Sequence, residues 1–159
     1  MAKKVKTNAM RILDSNKIDY DTHSYKTDGE HVDGITVAHA IGRDVEQVYK
    51  TLVVQGHSRE YYVFVIPVDQ NLNLKKAAKA AGEKSVEMIH VKDINKVTGY
   101  IRGGCSPVGM KKLYSTFVNE TAKELDTIIV SAGKIGYQIE LKPEDLQKVT
   151  NFKYVDIIQ

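Results

Sequence analysis

Leu52-Val53-Val54 and Tyr61-Tyr62-Val63-Phe64-Val65-Ile66-Pro67-Val68 are two runs of mainly β-branched and aromatic residues. Such runs favour β-strands. The segment between them, Gln55 to Glu60, is short and mostly polar, which is typical of the turn between two paired strands. The sequence therefore predicts a β-hairpin at its centre, and the other elements are placed around this hairpin.

Helical patterns lie on both sides of the hairpin. In residues 7–16 the apolar side chains recur at helical spacing, and in residues 72–81 Leu74 and three alanines share one face, which Gly82 ends. Shorter helices are expected at residues 37–41 with Thr36 as the N-cap, at residues 93–97, and from Pro143 onward.

The remaining apolar segments are predicted strands, at residues 18–25, 86–90, 113–118, 127–131, 137–141 and 152–158. The composition, with 42% hydrophobic and 27% charged residues in a chain of 159, is that of an ordinary globular protein with one core. The sequence therefore predicts an α+β fold. We expect residues 1–159 to form a single domain in which short helices surround a mixed, curved, barrel-like β-sheet.

Several functional classes are disfavoured by what the sequence lacks. No apolar run approaches the roughly 20 residues that span a bilayer, and the charged segment Met1 to Lys6 is not followed by the apolar stretch of a secretory signal. Cys105 is the single cysteine, which argues against disulfides. The histidines show no metal-binding spacing, and no nucleotide-cofactor fingerprint occurs. The histidines are His23, His31, His39, His57 and His90. A cytoplasmic protein without a metal, a cofactor or a membrane partner is expected.

The segment Gly99-Tyr100-Ile101-Arg102-Gly103-Gly104-Cys105-Ser106-Pro107-Val108-Gly109 is the least random part of the sequence. Adjacent glycines allow backbone N–H groups to approach a ligand closely, as in sites that stabilise an oxyanion. A sharp turn between two elements explains the same residues, and on this segment alone the turn is the better-supported interpretation. A catalytic role for Cys105 is disfavoured, because none of the histidines is spaced to act as its base.

Basic residues provide the other candidates for function. Lys50 stands at the start of an apolar strand, where its ammonium group could pair with a phosphate or a carboxylate at the rim of the sheet. An ordinary surface lysine, whose apolar stem packs while its charge stays in water, is the alternative, and most lysines are of that kind. Two lysine groups flank the glycine segment in sequence, one on the predicted helix and one beyond the glycines, and the net charge is +3. They consist of Lys75, Lys76 and Lys79, and of Lys111 and Lys112. These groups would suit the end of an RNA, although a solvated surface is the usual meaning of such clusters.

Four segments together resemble the YbaK/ProX family of aminoacyl-tRNA deacylases, which includes EbsC-like proteins and is related to the editing domain of bacterial prolyl-tRNA synthetases. The segments are Tyr49-Lys50-Thr51-Leu52-Val53, Asn73-Leu74-Lys75-Lys76-Ala77-Ala78-Lys79, Thr98 to Lys112 with its glycines, and Val130-Ser131-Ala132-Gly133-Lys134. Their order along the chain agrees with the family over nearly its whole length. The resemblance implies a mixed-sheet barrel, no metal, and tRNA as the partner.

The same resemblance implies the chemistry and the site. In the branch that removes cysteine from tRNA(Pro), the thiol of the substrate attacks its own ester, so that the enzyme supplies geometry. Lys50 would hold the terminal adenosine, and Gly103 and Gly104 would offer backbone donors. The remaining matched residues are assigned to the substrate pocket. They are Tyr25, Thr51, Ser106, Ser131 and Gln138. The five lysines named above are assigned to tRNA binding.

Two positions depart from the family pattern. Gln138 stands where an acidic residue is frequent, and Cys105 replaces a residue that is usually aliphatic. Both departures bear on which amino acid is removed. The alternatives therefore stay open: a deacylase for alanine or another small amino acid, or an RNA-binding module whose catalysis has decayed. Whether prolyl-tRNA synthetase is a second partner also stays open. A small basic domain has little room for contacts with an anticodon, so the synthetase could help to select the tRNA.

Overall fold

Strands and short helices alternate along the chain in the computed structural model, which describes residues 5–30 and 32–159. His31 and residues Met1 to Lys4, which are part of the charged segment Met1 to Lys6, lie outside the described residues. The strands are β1 (Asp21–Ser24), β2 (Tyr49–Gly56), β3 (Tyr61–Pro67), β4 (Val86–Met88), β5 (Ser115–Asn119), β6 (Ile128–Ser131), β7 (Tyr137–Leu141) and β8 (Lys153–Val155). The α-helices are α1 (Asn8–Ser15), α2 (Gly34–Ala40), α3 (Leu74–Ala81), α4 (Ile94–Thr98) and α5 (Pro143–Thr150). None of the described helices is long and apolar enough to cross a membrane.

The predicted hairpin is confirmed and organises the larger of two sheets. β2 pairs with β3 in antiparallel register, with Lys50 opposite Ile66, and the sheet runs in the order β4-β2-β3-β5-β8. β3 and β5 are parallel, as are β5 and β8, so this sheet is mixed. The smaller sheet, β1-β7-β6, is antiparallel and meets β2 at one isolated bridge between Val48 and Ile129. The α+β class is therefore confirmed, with the strands divided between two sheets that do not close into a barrel.

The core explains why these elements fold together. α1 buries Ala9, Met10 and Leu13 against residues from both sheets, and α3 buries Ala77 and Ala78 on a second cluster that includes the stacked rings of Phe64 and Phe117. A third, smaller cluster joins α2 to the bridge between the sheets through Ala38, Val48, Val68 and Ile129. Burial of these apolar faces stabilises helices that are too short to persist alone.

Several details of the sequence prediction are wrong. The N-cap of α2 is Asp33, whose carboxylate accepts a hydrogen bond from the backbone N–H of Thr36, so the helix starts earlier than predicted. Leu74 does not face inward, because it is the first residue of α3, ahead of the stripe that packs on the sheet, and 43% of it is exposed. Leu113 lies outside β5 and is 74% exposed. For α2, α3 and β5, the type of secondary structure is thus predicted correctly, but the position of a first residue or the direction of a terminal side chain is not.

Candidate functional site

A cavity of about 520 Å³ lies beside β2, where this strand has no neighbour on one side. β4 pairs with β2 only from Val54 to Gly56, and β6 reaches it only at the Val48 bridge. Residues 49–53 therefore form a strand edge to which no described strand is paired. An open edge presents backbone groups and side chains to whatever occupies the adjacent space. The cavity is thus a consequence of the way in which the two sheets diverge.

Six residues that the sequence assigned to the site line this one cavity, although they come from five separate segments. They are Tyr25, Lys50, Thr51, Gly103, Ser131 and Gln138. Ser131 and Gln138 are direct partners in the β6–β7 ladder, and Tyr25 follows β1 on the other side of β7. The fold thereby brings the smaller sheet, the glycine segment and the open edge of β2 to the same space.

Lys50 is the half-buried cation of this cavity. Burial lowers its pKa below the ordinary value of a lysine, and the negative charge of Asp69 opposes this effect. Lys50 forms no ion pair or hydrogen bond with any of the described side chains. A partly desolvated ammonium group without a direct partner is well suited to bind an anion or a hydrogen-bond acceptor that enters from outside.

Two polar side chains in the cavity also lack protein partners. The Oγ1 atom of Thr51 is the buried side-chain polar atom that makes no hydrogen bond within residues 5–30 and 32–159. Gln138 is 6% exposed as a residue, and its side-chain amide hydrogen-bonds to none of the described residues, but its oxygen and nitrogen are not sealed from solvent as Thr51 Oγ1 is. A fully buried polar atom is nearly always paired, because an unpaired one costs about 1–3 kcal/mol. The unpaired Thr51 Oγ1 therefore favours a ligand in this cavity, and the Gln138 amide is available to the same ligand.

The two glycines of the central pair have different surroundings. Gly103 lines the cavity with φ of 84°, and no described carbonyl accepts a backbone hydrogen bond from its N–H. The Gly104 N–H donates to the carbonyl of Ile101. A Cβ at Gly104 would stand 3.0 Å from the backbone nitrogen of Ile135, so Gly104 allows two loops to pack closely. Gly103 therefore borders the cavity with an N–H that no described carbonyl binds, whereas Gly104 does not line the cavity.

Cys105 lines the cavity as well, and its environment keeps the thiol protonated. Burial raises the pKa of this thiol to about 11, and a hydrogen bond with Thr98 opposes the rise. Because the thiolate is the nucleophilic form of cysteine, a thiol with this pKa is a poor nucleophile near neutral pH. The geometry agrees with the interpretation of Cys105 as a packing residue.

The remaining assigned residues lie outside the cavity lining. Ser106 is fully buried, and its hydroxyl accepts a hydrogen bond from the backbone N–H of Val108. Lys76 binds the carboxylate of Asp156 at 2.9 Å and the carbonyl of Ile158, so it fastens α3 to the C-terminal segment. The other basic candidates are exposed, and none lines the cavity. They are Lys75, Lys79, Lys111 and Lys112.

A buried carboxylate on β7 ties the segment after α2 to the smaller sheet. Asp33 and Ile35, at the start of α2, line the cavity, and Arg43, beyond the end of α2, contacts Glu140 of β7 at 3.0 Å. Burial alone would raise the pKa of Glu140, but hydrogen bonds from Thr127 and His23 and the charge of Arg43 lower it overall. Glu140 is thus charged near neutral pH and forms an ion pair with Arg43.

Sequence reasoning missed several residues at the mouth of the cavity. Arg102 lines it, is exposed, and makes no ion pair with the described residues. Its position next to Gly103 was the available signal. Met88 and Val91 line the same mouth, but an exposed apolar residue after a strand carries no signal in sequence. No group of three or more histidine, cysteine or acidic residues in the described part of the chain is placed to hold a metal ion.

Comparisons with known proteins agree on one family. Residues 30–149 match the family model of the aminoacyl-tRNA editing domain. The chain is 47% identical over 160 aligned residues to a protein of Enterococcus faecalis provisionally named Cys-tRNA(Pro)/Cys-tRNA(Cys) deacylase EbsC, covering 99% of this chain and 98% of that protein.

Solved structures show the same fold at lower identity. A crystal structure described provisionally as a trans-editing enzyme for prolyl-tRNA synthetase aligns with a TM-score of 0.82 at 20% identity, over 98% of this chain and 99% of that one. A crystal structure of a hypothetical protein aligns with a TM-score of 0.84, also at 20% identity, over 94% of this chain and 97% of that one. The fold is therefore shared with proteins whose sequences have diverged widely from this one.

Proposed function

Because this chain belongs to the aminoacyl-tRNA editing domain family, we propose that it is a trans-editing deacylase that releases cysteine wrongly attached to tRNA(Pro). The provisional name of the relative at 47% identity supports this substrate. The observation that carries the proposal is the cavity in which Lys50 lies beside two unpartnered polar groups, on Thr51 and Gln138. A ligand rich in hydroxyl and amine groups, such as the cysteinyl ester of adenosine, would satisfy them.

The proposed reaction uses the nucleophile of the substrate. The cysteine sulfur forms a bond to the ester carbonyl carbon, the C–O bond to the ribose breaks, and the thiol proton ends on the released ribose oxygen. Gly103 N–H would bind the carbonyl oxygen as negative charge develops on it. Lys50 would hold the terminal adenosine, so that the thiol and the carbonyl stay within reach of each other. Water then hydrolyses the released cyclic thioester.

Three charged tRNAs test the proposal. Purified protein should deacylate Cys-tRNA(Pro), and it should leave correctly charged Pro-tRNA(Pro) intact. Faster turnover of Ala-tRNA(Pro) than of Cys-tRNA(Pro) would assign the site to a smaller amino acid. Turnover of none of the three, with retained RNA binding, would show a binding module and overturn the proposal.

The tRNA partner and the place of action follow as further parts of the proposal. Prolyl-tRNA synthetase would present the tRNA, because a chain of 159 residues offers little surface for contacts with an anticodon. Translation places both in the cytoplasm. Adding the synthetase should therefore increase selectivity for tRNA(Pro) over tRNA(Cys) carrying the same amino acid, whereas unchanged selectivity would remove the synthetase from the proposal.

Thr51→Val should raise stability while it lowers activity. Valine has the shape of threonine without the unpaired hydroxyl, so the free energy of unfolding should rise by about 1 kcal/mol. Loss of a hydrogen bond to the substrate should lower kcat/KM by roughly tenfold. Thermal unfolding and single-turnover deacylation measure the two effects. Thr51→Ser is the control that keeps the hydroxyl, and a Thr51→Val variant with full activity would remove Thr51 from the substrate site.

The exposed lysines outside the cavity should contribute to tRNA affinity through charge alone. The lysines concerned are Lys75, Lys79, Lys111 and Lys112. If each contacts a phosphate, a plot of log affinity against log salt concentration has a negative slope, and each lysine-to-glutamine replacement should reduce the steepness of that slope by about 0.7–0.9. Filter binding between low and physiological salt measures the slope. Lys148, which pairs with Asp145, is the control. Slopes that stay equal in wild type and the quadruple variant would exclude these lysines from the tRNA surface.

A further inference from the structure

The mouth of the cavity combines exposed apolar side chains with an unpaired cation. Ile35, Met88 and Val91 line the cavity, yet each is between 42% and 54% exposed, and we call these three residues the apolar rim. The described part of the chain has six large apolar residues that are exposed, so half of them border one opening. Arg102 stands at the same mouth without an ionic partner, next to the exposed Ile101.

The size of the cavity decides what reaches this rim. A volume of about 520 Å³ lies within the ~300–1,000 Å³ of pockets that bind one small molecule. One aminoacylated nucleoside is of this size, and a run of nucleotides is not. In a substrate bound by its aminoacyl end, the phosphate on the 5′ side of the terminal nucleoside and the next base must therefore pass through the mouth.

We propose that the mouth is a second subsite, in which Arg102 binds the phosphate that joins the last two nucleotides and the apolar rim covers the base of the penultimate one. This inference rests on the proposed function, since it assumes that a nucleic-acid 3′ end enters the cavity. An arginine is suited to the phosphate because its planar group donates two parallel hydrogen bonds. Aliphatic side chains are suited to the flat face of an unpaired base, because covering that face removes apolar surface of both partners from water.

The carboxylate of Asp33 is the feature of the mouth that opposes an anion. Its oxygens accept hydrogen bonds from the backbone N–H and the hydroxyl of Thr36, and the backbone bond is the main cause of its lowered pKa. Both oxygens of Asp33 are thus engaged by the first turn of α2, although the carboxylate keeps its charge and makes no ion pair with the described residues. Arg102 is the cation at the mouth that makes no ion pair within residues 5–30 and 32–159.

A binding series separates the two parts of the subsite without turnover. Adenosine, adenosine 5′-phosphate and the dinucleotide CpA are titrated against wild-type protein and followed by chemical-shift changes. We expect the affinity to rise by roughly tenfold at each step, first from the phosphate and then from the second base. Arg102→Gln should abolish the first gain, and Val91→Ser should abolish the second. Neither variant should change the affinity for adenosine itself.

Matched variants control for loss of charge and of apolar surface elsewhere. Arg11→Gln removes an exposed arginine of α1, and Leu113→Ser removes the most exposed large apolar side chain of the described residues. Both should bind all three ligands as wild type does. Equal affinity of wild type for the three ligands, or equal losses in the controls, would overturn the subsite. Rim variants impaired only when prolyl-tRNA synthetase is present would overturn it too, by assigning the rim to a protein partner.

Turnover of cysteinyl esters of adenosine and of CpA, measured in parallel, tests the proposed function independently. Hydrolysis of both esters with the binding series as expected supports both proposals. If the affinity rises along the series but neither ester is hydrolysed, the subsite is supported and the deacylase activity is overturned. If both esters are hydrolysed with equal kcat/KM and the three ligands bind with equal affinity, the activity is supported and the subsite is overturned.

Discussion

Lys50→Met should lower kcat/KM for Cys-tRNA(Pro) by at least about 100-fold, because it removes the half-buried charge beside the unpaired groups of the cavity. Methionine keeps most of the volume of the lysine side chain, so packing against β3 is retained. The melting temperature should stay the same or rise slightly, since the ammonium group is partly desolvated in the folded protein and has no direct partner there. Single-turnover deacylation and thermal unfolding measure the two quantities.

The pH dependence of the same residue gives an independent test. Because the pKa of Lys50 is lowered in the folded protein, its charge is lost at a lower pH than that of an ordinary lysine. Activity that needs this charge should fall as the pH rises through the lowered pKa. In the window between that pKa and the ordinary value, the unfolded chain binds a proton that the folded chain does not, so this group makes stability rise with pH.

Lys79→Met, at an exposed lysine outside the cavity, is the matched control for Lys50→Met. With the cysteinyl ester of adenosine as the substrate for both variants, Lys79→Met should leave turnover unchanged and Lys50→Met should lower it. Wild-type turnover by Lys50→Met would show that Lys50 does not hold the substrate. An equal loss in Lys79→Met would assign the effect to the overall charge of the protein.

The elements of the site could be predicted from sequence because their signals are local. Lys50 begins an apolar strand, and the paired glycines at 103 and 104 mark a special backbone, so the amino-acid sequence alone is enough to single out both features. The difference between Gly103 and Gly104 could not be predicted. It depends on which N–H closes a turn, and on a close approach to Ile135 from a segment about thirty residues later.

The cavity itself was beyond prediction for a related reason. It exists because β4 pairs with only the last part of β2 and β6 diverges after the Val48 bridge, and both facts are matters of register between distant strands. Whether Thr51 Oγ1 finds a partner likewise depends on which side chains the fold brings near it. Residue type and spacing give the kind of chemistry, whereas tertiary pairing decides which atoms remain free to perform it.

Replacing the cysteine of the substrate by serine should slow release by at least about 100-fold, because a hydroxyl group is largely un-ionised near neutral pH and is the poorer nucleophile. Ser-tRNA(Pro) and Cys-tRNA(Pro), prepared on the same tRNA, differ only in this one atom. Cys105→Ala should retain the chemistry on Cys-tRNA(Pro), since burial raises the pKa of the Cys105 thiol to about 11. Its cost should be limited to a modest loss of packing.

A mechanism that uses the thiol of the protein reverses both expectations, which makes the pair of measurements decisive. Cys105 would then attack the ester and form an acyl-enzyme, so Cys105→Ala would be inactive and the serine ester would still be cleaved. Mass spectrometry of protein quenched during turnover distinguishes the two routes directly. An aminoacyl adduct on Cys105 would overturn the substrate-assisted reaction. We expect unmodified protein, because a thiol that is protonated at neutral pH competes poorly with the substrate thiol already held beside its own carbonyl.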